Sequence, residues 1–165
     1  YRSKRNRISS FVKKYPNLEC LDYTPELFDV CMDLDRAWEI EKEPETEDDF
    51  AALAAREAER TALKRTLANA DFLNIKACLV REEGKVIGLT VGEQTSPEMA
   101  MIHFEKCHPD YRDLYAWLNR EFLRRCWSQA LYVNREEDLG EEGLRRAKLS
   151  YNPVDFSRHY WANFI

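Results

Sequence analysis

The chain has 165 residues, 44% hydrophobic and 33% charged, with a net charge of -5. That length suits one domain able to bury about two-thirds of its unfolded surface, so the fold needs no disulfides. The composition excludes a disordered chain, and no apolar run approaches a membrane span or a secretory signal.

The five cysteines (Cys20, Cys31, Cys78, Cys107 and Cys126) are scattered and form no CxxC pair. Neither a zinc site nor a disulfide framework is expected, and reduced thiols in a cytoplasmic protein are. The first residue is tyrosine, so the chain is expected to be one part of a longer protein. Charge is uneven. The first fourteen residues hold Arg2, Lys4, Arg5, Arg7, Lys13 and Lys14 and no acid, which leaves -11 for the remainder. Such a segment is either the footprint of a polyanion partner or the wet face of an amphipathic helix.

In chain order, Lys4 to Tyr15 places Ile8, Phe11, Val12 and Tyr15 on one helical face. Leu18 to Tyr23 reads as a strand. Thr24 and Pro25 are a helix start, as cap and first helical residue. Leu27, Phe28, Cys31, Leu34 and Trp38 then mark a buried stripe. Glu39 to Asp49 holds seven acids and one lysine and reads as an exposed loop. Thr46 with Asp49 resembles a capping box, opening a helix from Asp49 to Asn69 that is rich in strong helix formers.

Lys76 to Arg81, Lys85 to Glu93 and Met99 to Lys106 read as three strands of an antiparallel meander, with Glu83-Gly84 as a tight hairpin turn and Thr95 to Glu98 as the second turn. Asp110 is the expected cap of a helix from Tyr111 to about Ser128, burying Leu114, Tyr115, Leu118, Phe122 and Cys126. A strand at Leu131 to Val133, a basic helix ended by Pro153, and an extended segment from Val154 to Trp161 complete the order. A mixed α/β sheet with helices on both faces fits it.

Two stretches carry polar residues where chemistry is expected. In the strand Met99 to Lys106, alternation puts His103 and Glu105 on one face, and Ile102 and Phe104 on the other. A carboxylate near an imidazole raises its pKa toward use at neutral pH, so His103 with Glu105 is a candidate proton-transfer pair; mutual satisfaction or simple solvent exposure are the alternatives. Gly88, Thr90 and Gly92 share a face of the neighbouring strand and leave room for a ligand or a packed helix. From Tyr132 to Pro153, a strand end leads into Asn134, Arg135, Glu136, Glu137 and Asp138. Gly140 and Gly143 follow, then a helix with Arg145, Arg146 and Lys148. A charged loop at the carboxyl edge of a sheet is a common place for a site, or else wet surface.

The runs Phe104-Glu-Lys, Asn119-Arg-Glu-Phe122, Asn134 to Gly140 and Gly143-Leu-Arg-Arg-Ala-Lys148, with Tyr151 and Pro153, resemble the phosphatidylglycerol lysyltransferase carboxyl-terminal family. The opening Lys4-Arg5-Asn6, Phe11 and Tyr15-Pro16 resemble it too, so the likeness covers nearly the whole chain. The resemblance implies a GNAT-type acyltransferase fold, largely antiparallel, over residues 1-165. It also implies a second GNAT-like half elsewhere in a longer chain, this one being the carboxyl-terminal half.

The lipid-modifying relatives transfer an aminoacyl group from charged tRNA to phosphatidylglycerol. By that likeness Lys148 stabilises the oxyanion of the transfer, and Arg145 holds a phosphate or carboxylate. Motif and polar residues together make Lys148, His103 and Glu105 the catalytic candidates. Arg145, Asn134, Glu136, Asp138 and Tyr151 are the substrate-binding candidates, and no metal is implied.

The donor is expected to be aminoacyl-tRNA, with tRNA held by the basic amino-terminal segment. The alternatives are acyl-CoA, with Glu93 or Glu105 as base for an amine, and a non-catalytic structural or RNA-binding domain. Against acyl-CoA stands the stretch His108 to Trp117, HPDYRDLYAW. It has two aspartates and no glycine where a diphosphate would need backbone amides.

Overall fold

The computed structural model describes residues 2-41, 50-158, 160, 162 and 163, and among them five strands and five α-helices form. The strands are β1 (Glu19–Asp22), β2 (Lys76–Glu82), β3 (Lys85–Ser96), β4 (Met99–Cys107) and β5 (Tyr132–Asn134). They lie in the order β1-β2-β3-β4-β5; the first three pairings are antiparallel and β4-β5 is parallel. The hairpin between β2 and β3 turns at Glu83 and Gly84, both at positive φ (48° and 83°), the backbone a two-residue turn demands.

Helices cover both faces, as expected. On one face α2 (Phe28–Glu41) and α3 (Phe50–Ala68) bury Cys31, Leu34, Leu63 and Leu67 against Leu79, Leu89 and Val91. On the other, α1 (Arg2–Lys14) lays Ile8 and Phe11 against α4 (Leu114–Cys126), whose Leu114, Trp117 and Leu118 meet Val80, Ile87 and Cys107. A third cluster joins Phe122 and Trp127 to Cys78, Ala100 and Ile102. The small face of β3 accommodates this helix rather than a ligand: a Cβ on Gly88 would sit 3.3 Å from Leu114.

Several local expectations are corrected. Thr24 makes no side-chain cap bond, and a 3-10 turn (Pro25–Leu27) precedes α2. α2 continues through residue 41, so the start of the acidic stretch is helical; the rest of it, with Thr46 and Asp49, lies outside the described residues. Val12 is exposed, because a short helix on a flat surface buries only its narrow central stripe. α4 begins at Leu114, not Tyr111. Asp110 does not cap it; Asp113 precedes the helix at φ 74° with no side-chain cap bond. In α4 the buried face takes Trp117 and Asn119 in place of Tyr115. The tail expected as a strand is not one at residues 154-158 or 160; residues 159 and 161 lie outside the described set.

The correction with most consequence is in β4. Val91 pairs with Phe104 and Gly92 with Ile102, so His103 is an extra residue, a β-bulge. The inserted residue inverts the alternation. Ala100 and Ile102 face α4, but beyond the bulge Cys107 faces α4, while Phe104 packs toward α2 and α3. His103 and Glu105 therefore lie on opposite faces and form no pair. Gly92 permits the close strand approach, since a Cβ there would stand 2.4 Å from the Met101 carbonyl oxygen and 3.1 Å from the Trp127 ring.

The same inversion turns Lys106 inward. It is 2% exposed, with Nζ 2.9 Å from Glu59 Oε2, 3.4 Å from Asp35 Oδ1 and 3.6 Å above the Trp38 ring. Asp35 is fully buried, and neither carboxylate oxygen has a hydrogen bond among the described residues. At 3.4 Å Lys106 thus supplies charge rather than a well-formed hydrogen bond.

Two stability measurements follow from this packing. Lys106→Ala strands the Asp35 carboxylate in the core and is expected to cost about 3 kcal/mol in urea unfolding, the cost typical of a broken buried pair. Lys106→Met combined with Asp35→Leu should recover most of that loss. Gly92→Ala should cost about 1–3 kcal/mol through overpacking against a backbone carbonyl. A neutral result would mean that the strands separate at the bulge without penalty.

Candidate functional site

Beyond Asn134 the chain leaves the sheet in a loop that straddles the edge of β4. Asn134 Oδ1 accepts the Glu136 N–H at 2.7 Å, and Asp138 Oδ1 accepts the Gly140 N–H at 3.0 Å, so two short side chains shape the turns. Glu136 and Leu139 sit at φ 54° and 50°, the left-handed region that non-glycine residues seldom occupy. Such a backbone persists only where its surroundings hold it. After the second turn the chain enters α5 (Glu142–Leu149).

Lys148, on α5, provides the main hold. Its Nζ donates to the carbonyls of Arg135 and Glu137, both at 2.5 Å. Partial burial, and next the Arg135 charge, push its pKa below the ordinary lysine value. An ammonium has three donors, so one N–H is uncommitted by these two bonds.

On the α4 side of the sheet, Arg135 donates to Glu105 Oε2, and Asn119 Nδ2 donates to Glu105 Oε1 at 3.1 Å. Glu105 is nearly buried, so this ion pair is shielded from water. The Arg135 guanidinium lies 4.6 Å from the centre of the Tyr151 ring, and Lys4 of α1 lies 3.6 Å from the same ring. Burial, chiefly, raises the Tyr151 phenol above its ordinary pKa.

On the opposite side, His103 stands between two carboxylates: Nδ1 is 2.5 Å from Glu136 Oε1 and Nε2 is 3.0 Å from Glu93 Oε1. A neutral imidazole donates from one nitrogen only, so both contacts together favour the imidazolium. The Glu136 contact is the largest cause of a raised His103 pKa, opposed by burial and reinforced by Glu93. His103 borders a cavity of about 260 Å³ with Thr66, Leu73, Ile75, Glu93 and Phe104.

The loop from Asn134 to Asp138 thus joins most of the sequence candidates. Glu136 reaches His103, Lys148 grips the loop carbonyls, and Tyr151 stacks on Arg135. Asp138 accepts from Arg145 at 2.6 and 3.1 Å, and this cation pulls the carboxyl down to about 2. Arg145 is therefore already paired. Glu105 stands apart from His103 and serves Arg135 and Asn119.

Arg135, Asn119 and Lys4 were missed as site residues. Arg135 lies inside the charged run, but which face it turns to depends on irregular backbone around the left-handed Glu136, which no periodicity reveals. For Asn119 the signals were its place in the Asn119-Arg-Glu-Phe122 run and a polar residue beside Leu118 on the buried side of α4.

Coenzyme A finds no matching cradle in these residues. Beyond the point where β5 leaves β4, Arg135 and Tyr151 cover Glu105 on the α4 side. The segment before α4 presents Asp110 and Asp113, with Asp113 at 3.9 Å from Arg7. Carboxylates stand where a diphosphate would need amides and cations, so these residues do not fit it.

The sheet order and the helices on both faces are those of the GNAT fold. The chain aligns over 90% of its length, and 97% of the other chain, with a possible acetyltransferase from Clostridium difficile (TM-score 0.60, 13% identity). It aligns over 89%, and 99% of the other chain, with a ribosomal-protein-alanine N-acetyltransferase from Brucella melitensis (TM-score 0.60, 11% identity). The family model described as phosphatidylglycerol lysyltransferase, C-terminal, matches residues 1–163, and the chain belongs to that family. It is similar to a conserved protein of unknown function from Bacteroides thetaiotaomicron, at 36% identity and a TM-score of 0.81 over 93% of this chain and 50% of that one. The chain thus spans half the length of that protein. No protein of curated function matches it. Among the described residues no helix is long and apolar enough to cross a membrane.

The His103 contacts set a pH dependence. Folding raises the pKa above 6.5, so the stabilisation is complete below about 6.5 and fades as pH rises through the folded value. NMR titration should place His103 above 6.5, and Glu136→Gln should lower it. The stability gap between wild type and His103→Gln should narrow from pH 6 to pH 9. An unshifted titration would show that the carboxylates do not hold the ring in solution.

Proposed function

We propose that this domain takes part in transfer of an aminoacyl group from tRNA to an acceptor, with the loop from Asn134 to Asp138 at the reacting centre. The observation that carries the reading is Lys148, a partly buried ammonium held by two carbonyls of a left-handed loop, with one donor left over. Membership of the phosphatidylglycerol lysyltransferase carboxyl-terminal family supports this chemistry over plain acetylation. So do the carboxylates ahead of α4.

In the reaction, the acceptor's nucleophile attacks the ester carbonyl carbon of the aminoacyl group. Negative charge gathers on the carbonyl oxygen, where the remaining Lys148 N–H donates. The ester C–O bond then breaks; the ribose oxygen of the tRNA takes the place of Glu136 at one nitrogen of His103 and leaves with that proton, while the proton shed by the acceptor's nucleophile recharges the imidazole. Glu93 and Glu136 keep that imidazolium charged and oriented. Arg135, fixed by Glu105 and Tyr151, and Arg145, shared with Asp138, supply positive charge for the terminal phosphates. The exposed Arg2, Arg5 and Lys13 on α1 supply more distant phosphate contacts.

The test uses the natural full-length protein with lysyl-tRNA. Lys148→Ala should reduce single-turnover transfer by roughly 100-fold or more, the scale of a lost oxyanion donor, while tRNA affinity holds. Its thermal midpoint should also fall by a few degrees, because the loop loses two hydrogen bonds. Full activity in this variant would sink the assignment. Saturable acetyl-CoA binding by the wild type would point instead to small-molecule acetylation.

A further inference from the structure

The end of α3 meets the start of α2 over a second cavity, of about 540 Å³. That volume is within the range of about 300–1,000 Å³ that small-molecule sites occupy. Among the described residues it is lined by three aromatic residues, Tyr23, Phe28 and Phe72, and two acids, Asp29 and Asp71, and by no lysine, arginine or histidine. Neither acid has an ion-pair partner among the described residues. Tyr23 is held at both ends: its N–H donates to the Ala77 carbonyl at 2.9 Å, and its hydroxyl to the Leu67 carbonyl, in the last turn of α3, at 3.1 Å. Phe28 packs on the core cluster of α2 and α3. Phe72 lines the cavity while 89% exposed, so its ring is open to a ligand.

The charge of this cavity is negative. Leu67 and Ala68 at the end of α3 line it, so the negative end of that helix dipole lies there. α2 begins at the same place, but a helix end carries only about half a charge, and Asp29 in the first turn of α2 offsets it. Burial, chiefly, raises the Tyr23 phenol above its ordinary pKa, and Cys31, Asp71 and Glu26 add to it, so Asp71 stands close enough to act on that ring. The aromatic faces themselves attract cations. A hard metal ion does not suit these walls. It takes about six or more oxygens, and among the described residues no three carboxylate, thiol or imidazole side chains are gathered to hold one. An organic cation with an apolar body suits both the rings and the acids.

We infer that the cavity between α2 and the end of α3 binds a linear polyamine, with one protonated nitrogen on Asp29, another on Asp71, and the methylene spacer against Tyr23, Phe28 and Phe72. Two positive charges match two unpaired carboxylates, and each ammonium supplies the N–H donors that a carboxylate accepts. A monoamine leaves one carboxylate without a partner. A quaternary ammonium keeps the contact with the rings but has no N–H to donate. The cavity shares no residue with the loop from Asn134 to Asp138, so this inference stands apart from the transfer reading.

The test is a calorimetric titration of the natural full-length protein with spermidine, which should show saturable binding. Asp29→Asn combined with Asp71→Asn should weaken it about 10-fold or more, the scale of lost hydrogen bonds to charged groups. Phe72→Ala should weaken it about 3-fold or more through the lost ring face. These three side chains are exposed, so the variants should keep thermal midpoints within a few degrees of wild type. Glu57→Gln, at an exposed acid of α3 outside the cavity, should leave the affinity unchanged. Butylamine and tetramethylammonium should each bind about 10-fold more weakly than spermidine. Absence of saturable binding would overturn the inference, as would unchanged affinity in the double variant. An equal loss in Glu57→Gln, or displacement of spermidine by the same concentration of magnesium ion, would overturn it in favour of diffuse attraction to an acidic surface.

Discussion

The inserted residue in β4 is the constraint on which the site depends. With His103 left out of register between Ile102 and Phe104, the strand sends its three last polar side chains to different surroundings. His103 turns to Glu93 and Glu136, Glu105 to Asn119 and Arg135, and Lys106 to Asp35 and Glu59. Without the bulge, Lys106 would face the apolar cluster around Leu114 and Leu118, with no carboxylate to meet it. The bulge in turn depends on Gly92, because only a residue without Cβ tolerates the Met101 carbonyl so near.

The charge pairs around this strand differ in what they contribute. Arg145 with Asp138 is largely solvent-exposed, and such a pair adds little to stability. Arg135 with Glu105 is shielded from water, and its geometry is completed by Asn119 and by the Tyr151 ring. Leaving either charge without its partner there is expensive, so the pair fixes the path of the loop. Lys148 acts on the same loop through its backbone. The loop is therefore gripped from both sides of the sheet and from α5, which is how Glu136 remains in a left-handed conformation.

Much of the architecture was legible in the sequence. Among the described residues, periodicity, helix-forming composition and turn residues together placed the five strands and five α-helices, and Glu83-Gly84 marked the hairpin. The loop candidates Asn134, Glu136, Asp138, Lys148 and Tyr151 were legible through a motif. Their connection to His103 was not, since a one-residue slip reverses every later side chain of a strand and leaves composition unchanged. Alternation therefore paired His103 with Glu105, whereas the bulge separates them. The left-handed Asp113 hid the true start of α4 in the same way. Arg135 stayed hidden because irregular backbone, with Glu136, Leu139 and Gly140 at positive φ, has no period to read.

The tail shows a different kind of failure. Val154 and Phe156 have the residue types of a strand, yet β-propensity expresses packing against neighbours more than a backbone preference. Among the described residues they remain exposed, at 84% and 65%. Among the described residues the outer edge of β5 pairs with no strand, and β5 ends at Asn134, whose side chain makes the first turn of the loop. Order at that edge and order at the site are thus linked through one residue.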